Sequence, residues 1–444
     1  MFRRTMLGIL LGGLSLHGQQ TPVAFVDVTV VPMDRERLLL HQTVVTENGR
    51  ITALGAVQTI RLPKVTQRID GRGKFLMPGL ADMHVHLNVR GGDGLVTNEE
   101  YATLFIANGV TTVRNMWGNP DILAFRRAIE QGSIIGPQIY TTGPLTDGNP
   151  PIWRLSRVVE TIPQAIDAVT SDKREGYDAV KVYNHLSLEV YQAIVSTARK
   201  VGLPVYGHVP NRVGVEGVLA ARQDSIEHVE GYLEALDRNQ SPDKASELVA
   251  ATRSAGTWNC VTLVFYQGSV PADEAERLLA KPSMRFMPPK VISAWRDNPQ
   301  LRALTPYQFG RLRLYDEKRN KFVKALHEGG AKILLGTDTP NQFVVPGFAV
   351  HDELRNLVNV GLTPYEAIKA GTSDAAEFLK SQNQWGTVAV GLRADLLLLD
   401  ENPLHDVGNI DRRVGVMVRG RWLPEADLKT RLVGLIASYT SRMP

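Results

Sequence analysis

The chain has 444 residues, of which 22% are charged and 43% hydrophobic, and its formal net charge is +4. This length suits one large α/β domain with a smaller unit beside it, and the composition is that of a folded globular protein. Arg3 and Arg4 supply two of the four excess charges, which leaves no basis for nucleic-acid binding. The single cysteine, Cys260, excludes an internal disulfide and a zinc site built from cysteines.

The chain begins with a basic pair followed by a short apolar run over residues 6–16. This order is typical of a secretory signal peptide, and the run is shorter than a bilayer-spanning helix requires. We therefore predict a signal peptide over residues 1–20, export to the periplasm or out of the cell, and no stable membrane anchor. An uncleaved anchor or a fortuitous apolar leader is the alternative, because residues 17–20 form a poor cleavage site.

Short strands are predicted near both ends of the chain, and Asn48-Gly49 between two of them is a hairpin-turn signal. They cover residues 24–31, 43–46 and 51–54 near the start, and residues 386–391, 394–399 and 414–420 near the end. We predict that both groups pair into one small β-sandwich, made of residues 21–75 and 386–425. A helix over residues 426–444 is predicted to close the chain.

Between these groups, eight predicted strands alternate with helical segments, which indicates a parallel sheet and fits a closed (β/α)8 TIM barrel over residues 76–385. The best-marked helix begins at a Ser187 cap and ends before Gly202. Residues 265–328 are more than one crossover helix needs, so an excursion over the barrel mouth is predicted there. The strands are predicted at residues 80–87, 110–115, 138–143, 179–183, 204–209, 225–229, 257–263 and 332–339.

Two histidines end the first barrel strand. His84 and His86 are two residues apart, so an extended strand turns both side chains to one face, where they can bind one metal ion. Two ordinary histidines in a core strand are the alternative reading. Further ligands at other strand ends are needed to decide between the two readings.

Such residues occur at four other predicted strand ends: Lys181, His208, His228 and Asp338. Each has a plain structural explanation of its own, as a core histidine, a loop cap, a solvated lysine or a helix N-cap. Active sites of these barrels lie at the C-terminal ends of the strands, so the joint placement favours a metal centre. An isolated buried ammonium is costly, whereas a lysine that has reacted with carbon dioxide becomes a carbamate able to bridge two cations.

Residues 75–87 and 335–338 resemble the opening and closing metal motifs of the amidohydrolase superfamily, and residues 363–372 and 391–400 resemble its C-terminal stretches. The chain is similar to the imidazolonepropionase-like and Xaa-Pro dipeptidase-like branch, although Asn115 stands where relatives often carry an acidic residue. The resemblance implies two divalent metal ions with a carbamylated Lys181 as bridge. By this resemblance, one metal would be held by His84, His86 and Asp338, and the other by His208 and His228.

Ligands of nitrogen and oxygen suit zinc, with manganese, iron and cobalt left open. The predicted activity is hydrolysis of a carbon–nitrogen amide bond in an N-acyl amino acid, dipeptide or cyclic amide, by a hydroxide shared between the metals. Asp338 is the candidate catalytic residue, passing a proton from the water to the leaving nitrogen. An esterase, lactonase or phosphotriesterase-type hydrolase is the alternative, and a non-catalytic binding protein is a third reading.

Four residues are candidates for substrate contacts. Arg114 ends the second barrel strand and can clamp a carboxylate, with a structural ion pair as the alternative. Tyr183 follows Lys181 at the next inward position and can hydrogen-bond the tetrahedral intermediate, with packing as the alternative. His185 and His351 lie in segments predicted to leave the barrel mouth, where a surface role competes. The sequence does not name the substrate, and it leaves a homo-oligomer open.

Overall fold

The computed structural model describes residues 21–87, 95–268, 270–299 and 304–442. The predicted signal peptide over residues 1–20 lies outside these residues. In the described part of the chain, no helix is both long enough and apolar enough to cross a bilayer. The strands are β1 (Val23–Val30), β2 (Leu39–Glu47), β3 (Arg50–Ala56), β4 (Gln67–Asp70), β5 (Phe75–Pro78), β6 (Leu80–Val85), β7 (Val110–Asn115), β8 (Gln138–Thr141), β9 (Thr146–Asp147), β10 (Arg157–Val158), β11 (Val180–Val182), β12 (Val205–Gly207), β13 (Ser225–Glu227), β14 (Trp258–Cys260), β15 (Ile333–Leu334), β16 (Leu396–Leu399), β17 (Arg413–Val418) and β18 (Arg421–Pro424).

Helices separate most of the central strands, as the alternating pattern predicts. Ser187 accepts a hydrogen bond from the Val190 backbone N–H at the start of one helix, and Gly202 ends that helix with φ of +72°. The α-helices are Asn98–Ala107, Pro120–Glu130, Ile162–Glu175, Leu188–Val201, Gly214–Ala220, Tyr232–Arg238, Lys244–Ala255, Leu263–Tyr266, Ala272–Leu279, Pro289–Arg296, Pro306–Glu328, Phe348–Asn359, Pro364–Ala370, Ser373–Phe378 and Glu425–Ser441, and the 3₁₀ helices are Pro282–Phe286 and Val407–Asp411.

The α/β prediction is confirmed, and each of the eight predicted central strands is present, seven of them shorter than predicted by at least two residues. Parallel pairing joins them into a three-stranded sheet, β6-β7-β8, and a seven-stranded sheet, β10-β9-β11-β12-β13-β14-β15. Two isolated parallel bridges, Thr142 to Ala179 and Val85 to Thr339, connect the two sheets. The predicted closed barrel is therefore confirmed only in part, because at these two places a single bridge replaces continuous hydrogen bonding between the strands. The C-terminal ends of the strands still meet around one centre.

Strands from both ends of the chain form one eight-stranded sheet in the order β18-β17-β16-β5-β1-β2-β3, with β4 paired to β1. Its central joint is antiparallel, with Leu398 of β16 opposite Leu76 of β5. We call it the composite sheet. The predicted sandwich of two sheets is not confirmed, because hydrogen bonding connects all eight strands. The domain limits drawn from the sequence stay a prediction.

One predicted strand of this unit is wrong. Residues 386–391 form a loop, since Gly386 and Gly391 have φ of +99° and +91°, which an extended strand does not allow. The loop touches the composite sheet through single hydrogen bonds, from Val388 N–H to the Pro32 carbonyl and from Gly391 N–H to the Ile51 carbonyl. The predicted turn at Asn48 is confirmed by its φ of +49°, and it joins β2 to β3.

Candidate metal centre

His84 ends β6 with no side-chain exposure. Its Nδ1 lies 2.7 Å from Oε2 of Glu227, and because a carboxylate only accepts, this nitrogen carries the ring hydrogen. Burial lowers the pKa of His84 well below its usual range, so the ring is neutral and Nε2 presents a lone pair. That nitrogen has no hydrogen-bond partner among the described residues, and it lies 3.3 Å from Oδ1 of Asp338.

His208 and His228, which follow β12 and β13, are oriented in the same way. Nδ1 of His208 lies 2.8 Å from the Asn184 side-chain oxygen and 2.7 Å from Oε2 of Glu230. Nδ1 of His228 lies 2.7 Å from the Thr262 hydroxyl. Burial lowers the pKa of both histidines, that of His228 to about 4. Both rings are therefore neutral near pH 7, with Nε2 of each left to bind a cation.

Asp338 lies beyond β15, opposite the histidines of β6. Its Oδ1 accepts a hydrogen bond of 2.9 Å from Nε2 of His86, and its Oδ2 accepts one of 3.0 Å from the Asn341 amide. Nδ1 of His86 is buried without a hydrogen-bond partner in the described structure. Ligand atoms of His84, His228 and Asp338 all lie within 4.8 Å of one another, so these three side chains converge closely enough to bind metal.

The backbone around Asp338 is strained and tightly held. Asp338 has φ of +59°, an uncommon conformation for a side chain other than glycine. Its N–H donates to the His84 carbonyl at 2.8 Å, and the hydroxyl of neighbouring Thr337 donates to Asp82 at 2.6 Å. A Cβ on Gly336 would lie 2.3 Å from Sγ of Cys260. Glycine at this position therefore lets the end of β15 approach β6 closely enough to present the carboxylate.

Lys181 lies in the middle of β11 and is 1% exposed. Its Nζ has no hydrogen-bond partner in the described part of the chain, which is costly for an isolated ammonium. Burial lowers its pKa, and the neutral amine so favoured is the form that reacts with carbon dioxide. Its placement among the histidines therefore suits the bridging role.

Arg114 lies behind the centre and forms a structural ion pair with Glu227, which is the alternative reading given in the sequence analysis. The side chain is 1% exposed and donates to Oε2 of Glu227 at 2.8 Å and to the Ser225 hydroxyl at 3.0 Å. The substrate contact predicted for Arg114 is therefore wrong, because this guanidinium is already occupied. Through Glu227 it supports His84 instead, a role that the sequence analysis missed although Ser225 and Glu227 share one face of β13.

Of the three other predicted substrate contacts, Tyr183, His185 and His351, only Tyr183 lines the cavity. Tyr183 lies in the cavity, its ring 3.9 Å from that of His208. Nδ1 of His185 is 2.5 Å from the Pro150 carbonyl, outside the cavity lining. His351 is buried elsewhere, with Nδ1 2.6 Å from Asp411 and Nε2 3.0 Å from the Asn108 carbonyl. A direct substrate contact is therefore wrong for His351, and the ring of His185 is held away from the cavity.

The centre opens into a cavity of about 560 Å³. Five of the six candidate ligands line it, and His84 lies behind them. Glu230, a lining residue missed by sequence reasoning, joins Asn184 in holding His208. The remainder of the lining is rich in aromatic side chains, namely Tyr101, Trp117, Trp153, Phe265, Tyr266 and Trp295.

The donor set fits a cation. His84 Nε2 and Asp338 Oδ1 are both electron-rich, and at 3.3 Å they are stable together only if a positive charge compensates them. Neutral imidazole nitrogens beside a carboxylate are the ligand chemistry of zinc and related divalent ions. The other ring nitrogen of each of these three histidines also contacts an oxygen that fixes the ring, as is usual for metal-ligating histidines.

A family model described as the amidohydrolase family matches residues 75–423. Ochratoxinase from Aspergillus niger is 26% identical over 407 residues, covering 78% of this chain and 74% of that protein. Imidazolonepropionase from Aeromonas hydrophila is 25% identical over 402 residues, covering 79% of this chain and 83% of that protein. The crystal structure of a candidate prolidase from Bifidobacterium longum is 26% identical with a TM-score of 0.72, covering 94% of this chain and 99% of that chain.

Proposed function

The chain belongs to the amidohydrolase family, whose members are metal-dependent hydrolases acting on carbon–nitrogen bonds, and on this premise we propose that it hydrolyses an amide bond in a small molecule with the help of two divalent metal ions. Zinc is the proposed metal, given nitrogen and oxygen ligands without thiolates. The observation that carries the proposal is that neutral histidine nitrogens, one carboxylate and a lysine with no hydrogen-bond partner among the described residues converge on a single cavity.

The ligands divide into two groups in this proposal. His84, His86 and Asp338 would hold one ion, and His208 and His228 the other, with a carbamylated Lys181 between the groups. The burial of Lys181 and its lack of a hydrogen-bond partner among the described residues support the carbamate. Two such ions, when bound, lower the pKa of a shared water and polarise the substrate carbonyl.

Asp338 moves the proton in this mechanism. Its carboxylate takes a proton from the attacking water and delivers it to the leaving nitrogen. The Asn341 amide donates to Oδ2 of Asp338 and holds that carboxylate oxygen in place. The backbone N–H of Asp338 donates to the His84 carbonyl at 2.8 Å, which fixes the residue beside the histidines and supports its use as a positioned base.

Tyr183 stabilises the reacting carbonyl oxygen. Nε1 of Trp153 donates to the Tyr183 hydroxyl at 2.9 Å, so the hydroxyl oxygen accepts there and its own hydrogen is free to point into the cavity. Burial raises the pKa of Tyr183, which keeps the phenol protonated as a donor. Developing negative charge on the substrate oxygen would strengthen this hydrogen bond in the transition state.

Hydrolysis of an ester, lactone or phosphotriester is the second candidate, since the same centre would polarise those groups. N-acyl amino acids, Xaa-Pro dipeptides and cyclic amides are favoured because ochratoxinase and the candidate prolidase are relatives of comparable length.

Export from the cytoplasm remains part of the proposal, and sequencing the N-terminus of protein from the native host tests it. A closed barrel around the centre and a two-layered composite unit also remain proposals.

The test uses purified residues 21–444 loaded with zinc in the presence of bicarbonate. N-acyl amino acids, Xaa-Pro dipeptides, cyclic amides, lactones and a phosphotriester are compared by kcat/KM, with a chelator-treated sample beside each. The expected result is metal-dependent amine release from one of the amides, with lower kcat/KM for the other classes. Turnover that survives complete metal removal, or that is confined to esters, would overturn the proposal.

A further inference from the structure

A row of aromatic rings connects His86 to His208 along one wall of the cavity. Trp117 lies edge-on to His86, with ring centroids 6.4 Å apart, and Trp153 lies 6.3 Å from Trp117. Trp153 is tied to Tyr183 by a hydrogen bond of 2.9 Å, and Tyr183 lies against His208. We call Trp117, Trp153 and Tyr183 the aromatic row. Because each ring is held by the next, the row is a preformed surface.

The row reaches solvent at Trp153, which is 51% exposed. Its chain neighbours Ile152 and Leu155 are 49% and 42% exposed, and the exposed Arg154 stands between Trp153 and Leu155. Exposed apolar side chains beside a cavity often belong to a place where a ligand or partner binds. Trp153 itself lines the cavity that holds the candidate ligands, which favours the substrate as the occupant.

Other lining side chains are also uncharged. Phe265 lies 5.9 Å from the ring of His228, and the helix Pro289–Arg296 adds Val291 and Trp295 to the lining. Outside the candidate ligands, Glu230 is the one charged side chain among the described lining residues, and it is bonded to His208. A charged group on the outer part of a substrate would therefore lose water without gaining a partner in this lining.

On the basis of the proposed function, we infer that the substrate carries an uncharged, planar aromatic group next to its scissile amide, and that Trp117 and Trp153 select it. Aromatic pairs gain from offset or edge-on contact beyond the area that they bury, equivalent to about twofold to tenfold in kcat/KM for each ring pair. A saturated ring of similar size buries comparable area but lacks this interaction. The aromatic group can belong to the acyl part or to the amine part, and the two are distinguished by experiment.

The experiment compares ring pairs matched in size. In the acyl arm, N-phenylacetyl-L-alanine is compared with N-cyclohexylacetyl-L-alanine, where a methylene insulates the carbonyl from the ring in both. In the amine arm, N-benzylacetamide is compared with N-(cyclohexylmethyl)acetamide. The zinc-loaded enzyme should favour the aromatic member of at least one pair by about twofold to tenfold in kcat/KM.

The variants are Trp117→Leu and Trp153→Leu, with Trp422→Leu as the matched control. Trp422 packs on Phe25 in the composite sheet, with ring centroids 5.2 Å apart, and takes no part in the cavity. The ratio between aromatic and saturated substrates should approach one in both cavity variants and stay at the wild-type value in Trp422→Leu. If Trp117→Leu does not fold, the comparison is made with Trp153→Leu alone, because Trp153 is half exposed and its replacement should disturb the fold less.

The inference is overturned if the wild type hydrolyses the aromatic and the saturated member of each pair with equal kcat/KM. It is also overturned if the aromatic-to-saturated ratio of kcat/KM is unchanged in both Trp117→Leu and Trp153→Leu. Neither result would contradict amide hydrolysis itself. If no amide is hydrolysed, the proposed function fails and binding decides the inference. Calorimetric titration with N-benzylacetamide and its cyclohexylmethyl analogue then shows whether the aromatic compound binds more tightly. Tighter binding that Trp153→Leu abolishes supports the inference, and equal binding of the two compounds overturns it.

Discussion

Replacing Glu227 by glutamine should damage both the stability of the fold and the metal centre. Glu227 is fully buried and accepts from Arg114, which is also buried. Removing one member of a buried ion pair leaves the other charge uncompensated and costs about 3–5 kcal/mol. The new amide also places a donor or a neutral oxygen against Nδ1 of His84, where a carboxylate now fixes the ring hydrogen at 2.7 Å. Loss of such a support typically lowers metal affinity about tenfold to hundredfold.

The two effects are separated by measuring urea unfolding on metal-free protein and zinc affinity by competition with a chelator. The double variant Arg114→Met with Glu227→Gln should recover most of the lost stability, because the buried charge is gone, but not the zinc affinity. Glu401→Gln is the matched control, since Glu401 pairs with Arg412 on the surface with 47% and 61% of the side chains exposed. That change should cost no more than about 1 kcal/mol. Wild-type stability and wild-type zinc affinity in Glu227→Gln would refute the reasoning.

Lys181→Ala should lose activity and bind far less than two metal ions per chain, as measured by elemental analysis. Acetate or propionate should partly restore its activity. Full metal occupancy in this variant would contradict a bridging lysine. Asp338→Asn should lower turnover by at least about a hundredfold while losing less metal than Lys181→Ala, and near-normal turnover with two metals bound would show that another group moves the proton. Burial raises the pKa of Glu353 to about 8. The folded state therefore holds this proton more tightly than the unfolded chain does. The free energy of unfolding should decline as pH rises from about 4.5 to about 8. Glu353→Gln should flatten that decline in urea titrations at successive pH values, and an unchanged pH dependence would count against it.

The carbamate and the aromatic row impose different experimental requirements. If Lys181 is carbamylated as proposed, a chain prepared without bicarbonate would keep it as an amine and should bind less metal even with all histidine ligands intact. The aromatic row needs no metal, because Trp117, Trp153 and Tyr183 are held by contacts with one another. Binding of an aromatic amide to the metal-free protein is therefore an independent measurement of the cavity.

The sequence by itself determined which residues could bind metal and that they would converge. Alternation along a strand places residues two apart on one face, which relates His84 to His86 without any tertiary information. The alternation of strands and helices then predicts parallel strands whose C-terminal ends meet, bringing His208, His228 and Asp338 to the same centre. These inferences depend on local periodicity and on one general rule of chain topology.

Only the tertiary structure decided which polar groups are already paired. Arg114 has the chemistry of a carboxylate clamp, but it lies against Glu227, which stands 113 residues further along the chain. His351 is likewise paired, with Asp411. The aromatic row joins side chains from separate loops, and no periodic pattern relates Trp117 to Trp153. Hydrogen bonds and ring contacts depend on distances of a few ångströms between segments remote in sequence, and these distances are set by the packing of the whole fold.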